Sequence, residues 1–290
     1  MIMVEPRLHH VRCLGARGLH RMAYWEWGDA SNSRVLVCAH GLSRQGRDFD
    51  TLARAVSQHY RVVCPDVVGR GQSDWLTDPM GYQIPAYVAD MVTLLARLNA
   101  QTVHWVGTSM GGLIGMGLAS LANSPIHRLV LNDVGPVIQA QALQRIGSYL
   151  GLPMRWDSVE AAAAYMLSIS KGFGPHTEPQ WLDLTRPMLR ADGAGFKPHY
   201  DPNIAVPFRA ATPELAAAGE ALLWRSFDAI ACPTLVLRGA ESDLLTRETA
   251  HAMTQRGPRA ELLEFEGVGH APMLVVDDQV EAVKQFLLSS

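Results

Sequence analysis

The sequence predicts an α/β protein built on a mostly parallel β-sheet flanked by helices. Three observations carry that reading. Short apolar runs rich in Val, Ile, Leu and aromatics recur along the chain, and the middle ones are continuous rather than alternating, the pattern of strands buried on both faces. Segments with helical spacing lie between them, as right-handed crossovers require. The alternation stops after Val134-Gly135-Pro136 and resumes near Ala229, so an insertion interrupts the sheet.

The strand-like runs are His20 to Trp27, Val35 to Ala39, Arg61 to Cys64, Val103 to Val106, Leu129 to Leu131, Thr234 to Leu237 and Glu261 to Phe265. Phe49 to His59 reads as a helix, with Phe49, Leu52, Ala53 and Val56 on one face. Tyr82 to Leu98 places Val88, Met91, Val92, Leu95 and Leu98 on one stripe. Gly112 to Leu121 is apolar all round and is therefore expected at the centre of the molecule. Arg247 to Arg256 and Val280 to Leu288 complete the set. In the insertion no strand is expected. Ala161 to Ile169 and Pro213 to Leu223 look helical there, among aromatics that include Trp156, Phe173 and Trp181. The insertion reads either as a helical unit with its own small core or as a lid, and the lid is favoured because active sites of open α/β sheets lie at the carboxyl ends of strands and the insertion leaves from such an end.

Composition narrows the function. The 290 residues have room for one large domain or two modest ones. A formal charge of −3 gives no electrostatic footprint for nucleic acid or anionic lipid. The four cysteines, Cys13, Cys38, Cys64 and Cys232, are dispersed and lie in or beside apolar runs, so buried reduced thiols in a cytoplasmic protein are expected. Met1 to His10 carries Glu5, Pro6 and Arg7 where a secretion signal needs an apolar core. The charge-free stretch Ala100 to His127 is long enough to span a membrane, but it holds five glycines and Pro125 and reads as a turn plus a buried helix.

The strongest local feature is Gly107-Thr108-Ser109-Met110-Gly111-Gly112, directly after the run Thr102 to Val106 and before the apolar helix. Gly-x-Ser-x-Gly alone is a weak pattern. Between a strand and a helix it marks a sharp, strained turn whose glycines relieve clashes and whose serine is lifted above the sheet. The helix N-terminus then aims free N–H groups at the same place.

On these residues the chain resembles the α/β-hydrolase superfamily along nearly its whole length. The resemblance implies an eight-stranded sheet with a helical cap inserted after the sixth strand: core residues 1–135 and 229–290, cap residues 136–228. It also implies active groups in the order serine, acid, histidine. His270, in Gly267-Val268-Gly269-His270-Ala271-Pro272, fits the third place. Asp243, in Arg238-Gly239-Ala240-Glu241-Ser242-Asp243, fits the acid. Asp133 competes for that place, because some family members take their acid from the strand it ends. By resemblance the oxyanion donors are the N–H groups of Met110 and of Leu42, in His40-Gly41-Leu42-Ser43. Gly41 and Ser43 are expected to line the substrate site with Trp156 and Phe173, and Gly41 to tolerate bulk poorly. His40 is expected to order its loop. Asp66-Val67-Val68-Gly69-Arg70-Gly71-Gln72-Ser73, a further family mark, is expected to be a structural turn.

The implied activity is hydrolysis of a carboxylic ester of medium-sized, hydrophobic character through an acyl-enzyme, with a small-molecule substrate. An imidazole suits proton transfer near neutral pH, and a carboxylate fixes its tautomer. Carbon–carbon bond hydrolases of aromatic breakdown carry Asn before the nucleophile and Trp after the histidine, where this chain has Thr108 and Ala271. Lactonase, thioesterase and polyester-oligomer hydrolase activities stay open, as does a ligand receptor with little turnover. No cofactor and no metal is expected: there is no His-Glu-x-x-His or Cys-x-x-Cys, and Gly69-x-Gly71 lacks the third glycine of a dinucleotide site.

Overall fold

The computed structural model describes residues 5–138, 140–209 and 213–289. Eight strands form one sheet: β1 (Arg7–Gly15), β2 (Gly18–Trp27), β3 (Val35–Ala39), β4 (Arg61–Asp66), β5 (Val103–Thr108), β6 (Ile126–Asn132), β9 (Thr234–Gly239) and β10 (Glu261–Phe265). Their order across the sheet is β1-β2-β4-β3-β5-β6-β9-β10. The β1–β2 hairpin is antiparallel, and so is the β2–β4 pairing; β4, β3, β5, β6, β9 and β10 run parallel. This is the expected architecture.

The continuous runs explain the two-sided burial. In β3, Val35, Val37 and Ala39 join the core on one face, with Met91 and Leu94 of α2 (Ile84–Leu98) and Ile114 of α3 (Met110–Ala119). Leu36 and Cys38 join the core on the other, with Leu52 and Val56 of α1 (Asp50–Val56) and Val283 and Leu287 of α10 (Asp277–Leu288). Each fully buried aliphatic side chain of this kind contributes about 1.5–3 kcal/mol. α3 is buried nearly all round, as its uniform apolarity requires. α9 (Arg247–Gln255) covers the far end of the sheet through Ala250 and Met253.

Strand β1 has no counterpart in the expected runs. Along Arg7–Gly15 only Val11 and Cys13 are buried, as befits an edge strand with one wet face. Between β6 and β9 lie α4 (Ala140–Tyr149), α5 (Val159–Ile169), α6 (Glu178–Thr185), α7 (Ala205–Arg209) and α8 (Pro213–Asp228). The expectation of no strand there is corrected. β7 (Leu189–Asp192) and β8 (Gly195–Pro198) form an antiparallel hairpin, and Trp156 bridges to Phe196 beside it. Each strand has four residues, with mostly half-exposed side chains, too short for an alternating pattern to stand out.

Chain direction positions the site. From β3 the chain passes to β4 on one side, and from β4 it returns through α2 to β5 on the other. The loops after β3 and β5 therefore part at a crevice outside the carboxyl ends of the strands, where ligands bind in open α/β sheets.

Candidate active site

Ser109 sits between β5 and α3 with φ 52° and ψ −116°, a conformation that costs a non-glycine residue of order 1–3 kcal/mol. The flanking glycines make it possible. A Cβ on Gly107 would overlap the Gly111 carbonyl, and one on Gly111 would overlap the Ala39 carbonyl of β3. The Ser109 N–H donates to Asn132 O at 3.0 Å, which ties the turn to the end of β6. The Asn132 side-chain amide donates to Thr108 Oγ1 at 2.9 Å and to Pro272 O at 2.7 Å, clamping the serine turn to the loop after β10.

That loop carries His270. Its Nε2 lies 3.1 Å from Ser109 Oγ and its Nδ1 lies 2.7 Å from Asp133 Oδ2. A carboxylate only accepts, so Nδ1 carries the proton and Nε2 is left to accept from the serine hydroxyl. Residues 109 and 270, far apart in sequence, thus meet as expected. The acid differs: Asp133, the competitor, touches the imidazole, and Asp243 does not.

Local geometry explains this. Asp133 follows β6 at φ 54° and is fully buried, and a buried carboxylate must be satisfied. Three donors do so. Gly239 N–H reaches Oδ1 at 2.9 Å; Ser242 Oγ at 2.6 Å and His270 Nδ1 at 2.7 Å reach Oδ2. The loop after β9 thus turns Ser242 inward, held by the N–H groups of Leu244 and Leu245 on its Oγ. Asp243, one residue on, faces out. It is 51% exposed and pairs bidentately with Arg145 of α4, at 2.9 Å for each bond.

The loop after β3 lies alongside. His40 is fully buried between Gly41 O, 2.7 Å from Nδ1, and the Val67 N–H, which donates to Nε2 at 2.9 Å. Burial pushes its imidazole down to about 3, so it is the neutral tautomer with Nδ1–H donating to Gly41 O. The Arg44 N–H donates to the same carbonyl at 3.2 Å. A trans peptide points its N–H opposite its C=O, so these bonds fix the direction of the Leu42 N–H. Arg70, from the glycine-rich turn and fully buried, donates to Leu42 O at 2.8 Å and Val68 O at 2.7 Å. The Met110 N–H opens α3 and has no intrahelical acceptor. A Cβ on Gly41 would stand 3.8 Å from Ser109 Cβ and 3.6 Å from Arg44 Cγ. An alanine therefore fits there, and only a longer side chain meets the serine; the expected intolerance of bulk is corrected to that extent.

A cavity of about 360 Å³ opens above Ser109. Gly41, Leu42, Ser43 and His270 line it from the sheet, and Arg145, Ile146, Tyr149, Ile169 and Phe173 from the insertion. Trp156 does not reach it. It packs on Tyr165 and lines a side chamber of about 80 Å³ that shares Ser43, Arg44, Tyr149 and Phe173 with the main cavity. Arg44 is buried, with Asp48 at 2.6 and 2.7 Å, Leu184 O at 3.1 Å and Met188 Sδ as partners. Among the described residues, one group with metal-ligating atoms lies away from this cavity: Cys13, His20 and Asp90, within 4.8 Å of one another. It is occupied internally. His20 Nε2 pairs with Asp90 Oδ2 at 2.9 Å, and burial pushes the Cys13 thiol up to about 12, against the thiolate a metal needs. Sequence gives no signal for Ser242, Arg44 or Arg145: a loop serine and two arginines have many commoner fates.

The mostly parallel sheet of eight strands, with the strained turn leading into α3 and the insertion after β6, is an α/β-hydrolase fold. Residues 36–285 match the model of the Alpha/beta hydrolase family, and the chain belongs to that family and is a hydrolase. It is 58% identical over 286 residues to the 3-hydroxybutyrate-oligomer hydrolase of Cupriavidus necator, covering 97% of this chain and 98% of that protein. It is similar in structure to an alpha/beta hydrolase from Novosphingobium aromaticivorans, with TM-score 0.86, 34% identity and 98% and 99% of the two chains covered. A Rickettsia typhi protein gives TM-score 0.88 at 30% identity, over 97% of this chain and 98% of that one.

Proposed function

We propose that this hydrolase is a serine esterase acting on short oligomers of 3-hydroxybutyrate or closely similar hydroxyacid esters. The observation that carries the chemistry is the hydrogen-bonded series Asp133–His270–Ser109, with its serine at the head of α3. The substrate class is supported by full-length likeness to the Cupriavidus necator enzyme. The cavity, with Tyr149, Ile169 and Phe173 against polar groups of the sheet loops, suits a chain that alternates methyl-bearing carbons with ester groups.

Ser109 Oγ attacks the ester carbonyl while His270 Nε2 takes its proton. Asp133 keeps Nδ1 protonated and stabilises the imidazolium. Charge on the carbonyl oxygen rests on the N–H groups of Leu42 and Met110, whose directions are fixed before substrate arrives, and each such donor lowers the barrier by about 2.7–4 kcal/mol. Collapse breaks the ester bond, and the imidazolium protonates the leaving hydroxyl of the next unit. Water, deprotonated by His270, then attacks the acyl-serine and releases the hydroxyacid.

Residues 136–228 act in this scheme as a cap. Gly172 O accepts from Gly269 N–H at 2.6 Å, so the cap's turn rests on the loop that carries His270. We read the enzyme as cytoplasmic, a reading supported by free Cys13, Cys38, Cys64 and Cys232; among the described residues no helix is long and apolar enough to cross a membrane. The test is chromatography of purified enzyme with the 3-hydroxybutyrate dimer and trimer. Monomer should accumulate, and Ser109→Ala should abolish it while the circular dichroism spectrum stays the same. Undiminished release by that variant would refute the serine mechanism.

A further inference from the structure

Among the described residues two arginines, Arg44 and Arg145, line the cavity above Ser109, and they differ in availability. Arg44 is largely engaged: it is buried, both carboxylate oxygens of Asp48 bind it, and with Leu184 O and Met188 Sδ four of its five N–H groups have partners. Arg145 is 44% exposed and, among the described residues, holds one carboxylate, Asp243, through its Nε and Nη2 edge. That edge is the planar fork that matches a carboxylate in two parallel bonds. A pair this exposed is held weakly, so another carboxylate can take the place of Asp243 at little cost.

From the function proposed above, and resting on it, we infer that Arg145 binds the free carboxylate at the end of the oligomer, and that Asp243 stands in that place when substrate is absent. The chemistry matches on both sides. A short linear hydroxyacid ester carries one terminal carboxylate, and the fork already grips an anion at the rim of the cavity that holds Ser109. Ile146 and Tyr149, from the same helix, line the cavity beside it, so a chain anchored at Arg145 lies along that helix with its ester toward the serine. Specificity for a free acid end, and for chains short enough to place it at the rim, then comes from one cap residue. Asp243 competes with the substrate for it and keeps the fork aligned in the empty enzyme.

The experiment compares two dimers of 3-hydroxybutyrate, one with its free carboxylate and one capped as the primary amide. Cleavage of the internal ester is followed by chromatography. Wild-type enzyme should favour the acid over the amide by roughly tenfold or more in kcat/KM, mostly through KM, since a charge-assisted pair that is the same in ground and transition states affects binding. Arg145→Met should erase that preference, and Arg145→Lys should keep part of it. Asp243→Asn should widen it, because the competing anion is gone. A preference that survives Arg145→Met, or a wild type with none, overturns the inference and leaves the esterase reading standing. Failure to cleave either dimer overturns both.

Discussion

Asp133 has no exposed surface, and three donors hold its two oxygens: a backbone N–H, the Ser242 hydroxyl and the His270 imidazole. Removing one donor leaves a buried charge undersatisfied and frees the carboxylate to turn. Ser242→Ala should therefore lower kcat by roughly tenfold, from a loss of about 1–3 kcal/mol at that hydroxyl, with KM little affected; steady-state kinetics on a p-nitrophenyl ester checks this. Ser109 and His270 were legible in the sequence because their signals are local, a glycine-flanked turn between strand and helix and a histidine just past the last strand. The acid was not. Residues 241 to 243 offer Glu, Ser and Asp in succession, and backbone direction alone decides which side chain turns inward. The loop presents Ser242 and leaves Asp243 outside, so a carboxylate from the neighbouring strand fills the place. The signal was an aspartate ending a run of buried residues, where a charge must find partners.

Among the elements, β3, β5 and α3 meet with no space between backbones. Gly111 at the start of α3 lies against the Ala39 carbonyl, and a side chain there would overlap it. Gly111→Ala should push α3 away from β3, costing about 1–3 kcal/mol of stability and displacing the Met110 N–H from the serine. Denaturation temperature and esterase rate should fall together, whereas Gly219→Ala, inside α8 with open space at that point, should leave the rate unchanged and raise the denaturation temperature slightly, since alanine favours a helix interior over glycine by about 0.5–1 kcal/mol. The sheet was legible because strands buried on both faces write continuous apolar runs, and the central helix because it is apolar all round. The edge strand β1 and the β7–β8 hairpin were not, since one face of each is wet and the hairpin strands are four residues long.

For the molecule as a whole, the loop that orients the Leu42 N–H also sets part of the acid stability. Burial holds His40 at about 3, against an ordinary value of 6.5. Below 6.5 the unfolded chain takes up a proton at this residue and the folded chain does not, so stability is lost as pH falls through that window, by about 1.4 kcal/mol per pH unit. Asp66 acts in the opposite sense. Burial raises it from 3.8 to about 6, so the folded chain binds that proton first and gains stability as pH falls between those values. Comparison with His40→Gln isolates the first effect. The difference in unfolding free energy between wild type and variant should be constant above pH 6.5 and shift steadily against the wild type below it; a difference independent of pH would contradict the neutral, buried imidazole.

Catalysis in this scheme depends on Asp133 as the carboxylate that serves His270, and kcat/KM for Asp133→Asn and Asp243→Asn on one neutral p-nitrophenyl ester tests that dependence most directly. Asp133→Asn should lose on the order of 10⁴-fold, because an amide at that position cannot hold the imidazole in the working tautomer, while Asp243→Asn should stay within about tenfold of wild type, as expected of an exposed pair. The reverse order, with the larger loss at Asp243, would contradict the assignment.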